Sequence, residues 1–148
     1  LPSDLSKKLD KSDSDLVLHH NHPSDFSLSR ADLLLLSRNG IRVVFAHGHN
    51  DSYYAARIFN RSMRAKLNTA IDAGYGEMLK HIKAWRMRGL IAAGLEAHLL
   101  NLSLASAGVI EYKFQLPSVI AQSFEIDVDL YAQGMDNIVN SINQAIKP

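Results

Sequence analysis

The run Asp15-Leu16-Val17-Leu18-His19-His20-Asn21-His22 constrains the fold most, because a short apolar strand leads directly into two histidines spaced two apart. On extended backbone, residues i and i+2 point to the same side, so His20 and His22 can grip one ion together. Pro23 to Leu28 is turn-like. Ser29-Arg30-Ala31-Asp32-Leu33-Leu34-Leu35-Leu36 then reads as a helix entered through a serine cap, which places Asp32 in the first turn. The predicted ligand set is His20, His22 and Asp32, with water in an open fourth position. Two imidazoles and one carboxylate suit a catalytic Zn²⁺ better than magnesium or calcium.

Composition sets the outer limits. The chain has 148 residues, 47% hydrophobic and 21% charged, enough for one core, so a single soluble domain is expected. The formal net charge of +1 gives no overall basic field, and nucleic acid is not an expected partner. Absence of cysteine excludes disulfides and any thiolate zinc site, and it is compatible with either a cytoplasmic or a secreted protein. Residues 1 to 15 are polar and mixed in charge, with no signal-peptide pattern. No apolar run is long enough to span a membrane. There is no glycine-rich phosphate loop, no G-x-S-x-G elbow and no internal repeat.

The string His20-Asn21-His22-Pro23-Ser24 with Ser29 and Asp32 resembles the JAMM (MPN, or JAB) metalloprotease motif, H-x-H followed by S-x-x-D, and especially its RadC-like bacterial and phage branch. The resemblance covers residues 15 to 58. It includes Gly40-Ile41-Arg42-Val43-Val44-Phe45-Ala46, a polar turn, and Ser52-Tyr53-Tyr54-Ala55-Ala56-Arg57, which fit the hairpin after the motif helix. It implies that His20, His22 and Asp32 bind zinc and that Ser29 hydrogen-bonds the tetrahedral intermediate. It also implies cleavage of peptide or isopeptide bonds, with a protein or peptide substrate that includes ubiquitin-like conjugates. The loop from His22 to Ser29 is one residue shorter than the family's usual spacing.

In that family the general-base glutamate lies upstream of the histidines. Residues 1 to 19 contain Asp4, Asp10, Asp13 and Asp15 but no glutamate. Three explanations stay open. The chain, which starts at Leu1 and reaches the motif within 20 residues, is a fragment of a larger bacterial or phage protein or effector. Alternatively a downstream carboxylate serves as base, and Glu96 is the candidate. It interrupts the apolar run Leu90-Ile91-Ala92-Ala93-Gly94-Leu95 and Ala97-His98-Leu99-Leu100, where burial would raise its pKa. The competing reading of Glu96 is a narrow polar stripe on a helix. Third, the domain is catalytically inactive and kept for interaction.

Residues 1 to 14 read as a polar arm or weak helix, and residues 15 to 148 as one domain of α+β class with a JAMM/MPN-like mixed sheet core and a helical C-terminal half. Within it, residues 15 to 58 carry the motif and residues 59 to 107 are helical, with Met78, Leu79, Ile82 and Trp85 as a buried stripe and glycines 74, 76, 89 and 94 as breaks. Arg57, Arg61, Arg64, Lys66, Lys80, Lys83, Arg86 and Arg88 make that segment locally basic, which is read as a solvated face in preference to an anion surface. Residues 108 to 148 should hold two alternating strands, Ile110 to Leu116 and Phe124 to Leu130, and a closing helix from Gly134 to Ile146.

Of the other histidines, His47-Gly48-His49 is read as a hairpin tip rather than a second metal site, and His81 with Glu77 as a surface pair. His19 should point away from His20, as a core or supporting residue. A second functional reading is an HNH-like metal-dependent nuclease built on His19-His20, Asn39 and His47. The strand pattern of Gly40 to Phe45 opposes it, since that site needs a helix under its last ligands.

Overall fold

The computed structural model describes residues 3–11, 15–89 and 94–148. The chain is α+β, with one four-stranded sheet and a helical C-terminal half. A short helix α1 (Ser3–Leu9) precedes strand β1 (Leu16–His22), helix α2 (Arg30–Leu35) and strands β2 (Ile41–Gly48) and β3 (Tyr53–Ile58). A 3₁₀ turn at Arg61–Met63 leads to α3 (Leu67–Met87), α4 (Leu95–Ser106), β4 (Ile110–Gln115) and the long α5 (Ser118–Ala145).

Sheet order is β1-β2-β3-β4, parallel between β1 and β2 and antiparallel elsewhere. The parallel pair is joined through α2, as a crossover requires. Its register sets His20 beside Ala46 and His22 beside Gly48, at the C-terminal end of both strands. The β2–β3 hairpin turns through Asn50 and Asp51, both at positive φ, a conformation these two side chains tolerate better than most.

Val44, Ala46, Tyr54 and Ala56 alternate onto the buried face of the sheet. Against that core pack Leu33, Leu36, Leu67, Ile71, Met78, Leu99, Leu104, Ile138 and Ile142. In α3 the buried residues Leu67, Ala70, Ile71, Gly74, Met78, Ile82 and Trp85 recur at helical spacing and form one stripe. Leu79, expected in the stripe, is exposed because it falls on the next face.

Gly74 and Gly76 do not break α3. A Cβ on Gly74 would lie 2.9 Å from Leu100 and 3.0 Å from Ile142, so glycine there lets three helices approach closely. Gly89 and Gly94, both at positive φ, bracket the gap between α3 and α4. Residues 90–93, the first part of the apolar run around Glu96, lie outside the described residues, as do 1, 2 and 12–14 of the polar arm.

Of the two readings of the arm, the helix is the one found, as α1, and it is tied to the core: Leu9 is buried, and its carbonyl accepts a 2.7 Å hydrogen bond from Gly40 N–H. One further expectation is corrected. The second strand, Phe124 to Leu130, is the middle of α5. Its alternation hides a helical stripe in which Phe124, Tyr131, Gly134, Ile138 and Ile142 face the bundle, while Val128 and Leu130 are 41% and 50% exposed. Period two and period 3.6 agree over a few residues and diverge over 28.

Candidate metal centre

Along β1, burial alternates so that Leu16, Leu18, His20 and His22 share the inner side. The leucines meet the core, and the histidines emerge where the sheet ends. Asp32 reaches them from the first turn of α2. The Nε2 atoms of His20 and His22 are 2.7 Å apart. Asp32 Oδ1 is 3.1 Å from His20 Nε2, and its Oδ2 is 3.3 Å from His22 Nε2. One ligand atom from each residue lies within 4.8 Å of the others, the sole such cluster of three among the described residues. Four ligands at tetrahedral zinc with bonds near 2.0–2.1 Å sit about 3.3 Å from one another. The carboxylate oxygens lie at or just inside that value and the two histidine nitrogens are closer than it, so the residues fit Zn²⁺ once the imidazoles move apart.

Local sequence explains why the groups are held there. Ser29 caps α2 in a reciprocal box: its hydroxyl oxygen accepts from Asp32 N–H at 3.3 Å, and Asp32 Oδ2 accepts from Ser29 N–H at 2.7 Å. The Ser29 hydroxyl proton also faces Asp32 Oδ2, at 2.7 Å. That leaves Oδ1 as the freer ligand oxygen. His22 Nδ1–H donates to the Phe26 carbonyl at 2.6 Å, which fixes the tautomer with the Nε2 lone pair free for a metal.

The connecting loop is itself anchored. Asp25, at φ 57°, accepts from Ser52 Oγ and Asn50 Nδ2 with its carboxylate, and its carbonyl accepts from the Tyr54 hydroxyl at 2.7 Å. Burial, with the Asp25 charge adding to it, pushes the Tyr54 phenol up to about 12. Asn101 Nδ2 donates to Ser27 Oγ at 2.8 Å and to the Leu28 carbonyl at 3.0 Å. A chain of bonds continues from Ser27 through the Tyr112 hydroxyl at 2.6 Å to His98 Nδ1 at 2.9 Å. Burial holds the His98 imidazolium down to about 4, so the ring is neutral, and burial raises the Tyr112 phenol.

Of the five residues expected to do chemistry, the structure brings together His20, His22, Asp32 and Ser29. Glu96 stands apart from the cluster: it sits in the first turn of α4 and pairs with Arg86 at the end of α3. His19 projects from the opposite face of the sheet, where its ring stacks on Phe45 and its Nδ1 lies 3.1 Å from His47 Nε2. His49 lies in the hairpin turn, and His81 makes a 3.3 Å contact with Glu77. Asn39 precedes β2 and His47 lies within it, so no helix carries them as an HNH site requires.

Asp25, Ser27, Asn101 and Tyr112 were not singled out by sequence. Their signal in the sequence is polarity inside an apolar run, which Glu96 shares with His98, Asn101 and Ser103, and the last three are all buried. Comparison with family models, with curated proteins and with solved structures gives no match. No helix among the described residues is long and apolar enough to cross a membrane.

Gly94 links α4 to the centre. It has φ 86°, and a Cβ there would lie 2.2 Å from the Phe26 ring, whose residue supplies the His22 acceptor. Gly94→Ala therefore combines a left-handed backbone penalty of about 1–2 kcal/mol with overpacking of about 1–3 kcal/mol. Urea titration should show a lower midpoint, and an unchanged midpoint would mean that Phe26 moves aside freely.

Proposed function

We propose that the chain is a zinc-dependent hydrolase of JAMM type acting on peptide or isopeptide bonds. The observation that carries this reading is the convergence of His20 Nε2, His22 Nε2 and the Asp32 carboxylate at the mouth of the sheet, with the tautomer of His22 and the orientation of Asp32 fixed by their neighbours. Zinc held by these side chains would supply a Lewis acid and an acidified water. The chain's own groups hold the ligands, and the partial exposure of His20 leaves a side open to substrate.

Ser29 fits the oxyanion role through a rotation of its hydroxyl away from Asp32, after which its O–H can donate to a substrate oxygen. The proton-transfer base is the incomplete part. Glu96 can serve only if it leaves Arg86, so a carboxylate supplied from outside the described residues is the simpler source. A catalytically inactive, metal-holding interaction module is the second reading, favoured by the fact that no glutamate joins the cluster among the described residues.

Metal analysis by native mass spectrometry tests the centre. One zinc per chain is expected in the wild type and none in a His20→Ala/His22→Ala variant, with both folded by circular dichroism. Failure of the wild type to take up zinc would sink the hydrolase reading. Zinc uptake without cleavage of any peptide or ubiquitin-like conjugate would select the inactive module.

A further inference from the structure

At the other end of the sheet, four arginines line one cleft of about 470 Å³: Arg42 on β2, Arg57 on β3, Arg61 in the 3₁₀ turn and Arg64 beyond it. Among the described residues no acidic side chain lines it, and Phe59, 54% exposed, forms part of its wall. The cleft adjoins a smaller hollow of about 280 Å³ that shares Asn39, Arg61 and Arg64 and adds Ser37. Along β2, Arg42 is six residues from Gly48, the partner of His22, or about 20 Å of strand. The cleft is therefore separate from the metal centre.

Most of the basic residues in this part of the chain are already engaged. Lys80 pairs with Glu77, Arg86 with Glu96, and Lys66 Nζ donates to the Ile146 carbonyl at 2.7 Å. Arg64 is a structural clamp: its guanidinium donates to the carbonyls of Leu36, Arg38 and Ile41, satisfying the open end of α2. Arg42 and Arg57 each hold one carboxylate from outside the cleft, Asp15 and Glu111, and keep further N–H donors free. Arg61 has neither an ion pair nor a hydrogen-bonding side-chain partner among the described residues, and its charge, after burial, depresses the pKa of Arg64.

Four guanidinium groups against two carboxylates leave an excess of two positive charges around a space of small-molecule size. Arginine forks match phosphate oxygens in pairs, and an exposed phenyl ring beside them offers a stacking surface for a flat heterocycle. The geometry points to this cleft as a binding site for a nucleoside diphosphate, its phosphates held by Arg61, Arg42 and Arg57 and its base resting on Phe59.

Isothermal titration with sodium pyrophosphate, ADP and adenosine tests this. The protein is used both as wild type and as the His20→Ala/His22→Ala variant, so that phosphate binding to the metal centre is separated from binding in the cleft. Pyrophosphate and ADP should bind equally well to both proteins, ADP the tighter, and adenosine should not bind. Arg61→Glu should weaken ADP by at least about tenfold, and Phe59→Ala should reduce ADP to the affinity of pyrophosphate. The Arg61 side chain makes no hydrogen bond or ion pair among the described residues, so its variant should keep the wild-type Tm. Absence of ADP binding at millimolar concentration, an unchanged affinity in Arg61→Glu, or loss of binding in the histidine variant would each overturn the site. Equal affinities for ADP and pyrophosphate in the wild type would overturn the stacking of the base on Phe59.

Discussion

Zinc at a thousandfold excess over its dissociation constant is expected to stabilise the protein by about 4 kcal/mol, which raises Tm by roughly 10 °C in a chain of this size, and Asp32→Ala should abolish that rise. The size follows from linkage. The three ligands come from two elements, β1 and α2, that lie together only in the folded chain, so zinc binds the native state in preference to the unfolded one.

Asp32 has a second duty that makes the test sharper. Its Oδ2 closes the cap of α2, a six-residue helix with little stability of its own. Asp32→Ala should therefore lower Tm even in chelator, by the equivalent of about 1 kcal/mol. Asp32→Asn keeps an oxygen acceptor for Ser29 N–H while losing the anionic ligand. It should restore most of the metal-free stability and little of the zinc response. Thermal scans of the three proteins with zinc and with chelator read both effects. An Asp32→Ala protein that still gains about 10 °C from zinc would move the metal elsewhere.

Sequence and structure agree where local pattern and tertiary demand coincide. β1, the cap at Ser29, the hairpin at residues 41–58 and β4 were each readable because alternation or a capping residue marks them and the core asks for the same geometry. The α+β class followed from those elements. Within α5, the Phe124 to Leu130 segment is ambiguous in isolation, and what decides it is Trp85 packing against Gly134 and Tyr131 from another helix. No window of a few residues contains that information.

The metal ligands were legible because their spacing is local, two residues on a strand and a first helical turn. The groups that hold the intervening loop were not, because Ser52, Asn101 and Tyr112 reach it from the hairpin, α4 and β4. Glu96 shows the opposite failure. A carboxylate in an apolar run suggested burial, yet Arg86, ten residues before it in sequence, meets it at the junction of two helices.

His98 should make the metal-free protein measurably acid-sensitive. Among the described residues only its Nδ1 is satisfied, by the Tyr112 hydroxyl, which is itself tied to Ser27 and through it to Asn101. Its Nε2 is buried without a hydrogen-bond partner among the described residues, between the rings of Tyr112, Phe114 and Phe124. A second proton would charge the ring in an apolar pocket, consistent with a folded-state value of about 4. In the unfolded chain the ring titrates near 6.5. Between those values the unfolded state carries a proton that the folded state refuses, so the contribution is complete above pH 6.5, declines as pH falls, and is gone below pH 4. The full loss is on the order of 3 kcal/mol. Urea titrations across this window, in chelator, should show the slope in the wild type and its removal in His98→Asn, whose side-chain amide can pair with the Tyr112 hydroxyl as donor or acceptor without titrating. His98→Phe should also remove the slope, at a further cost of about 1–3 kcal/mol for the orphaned hydroxyl. A slope that persists undiminished in both variants would assign the acid sensitivity to other groups and contradict the neutral, buried imidazole.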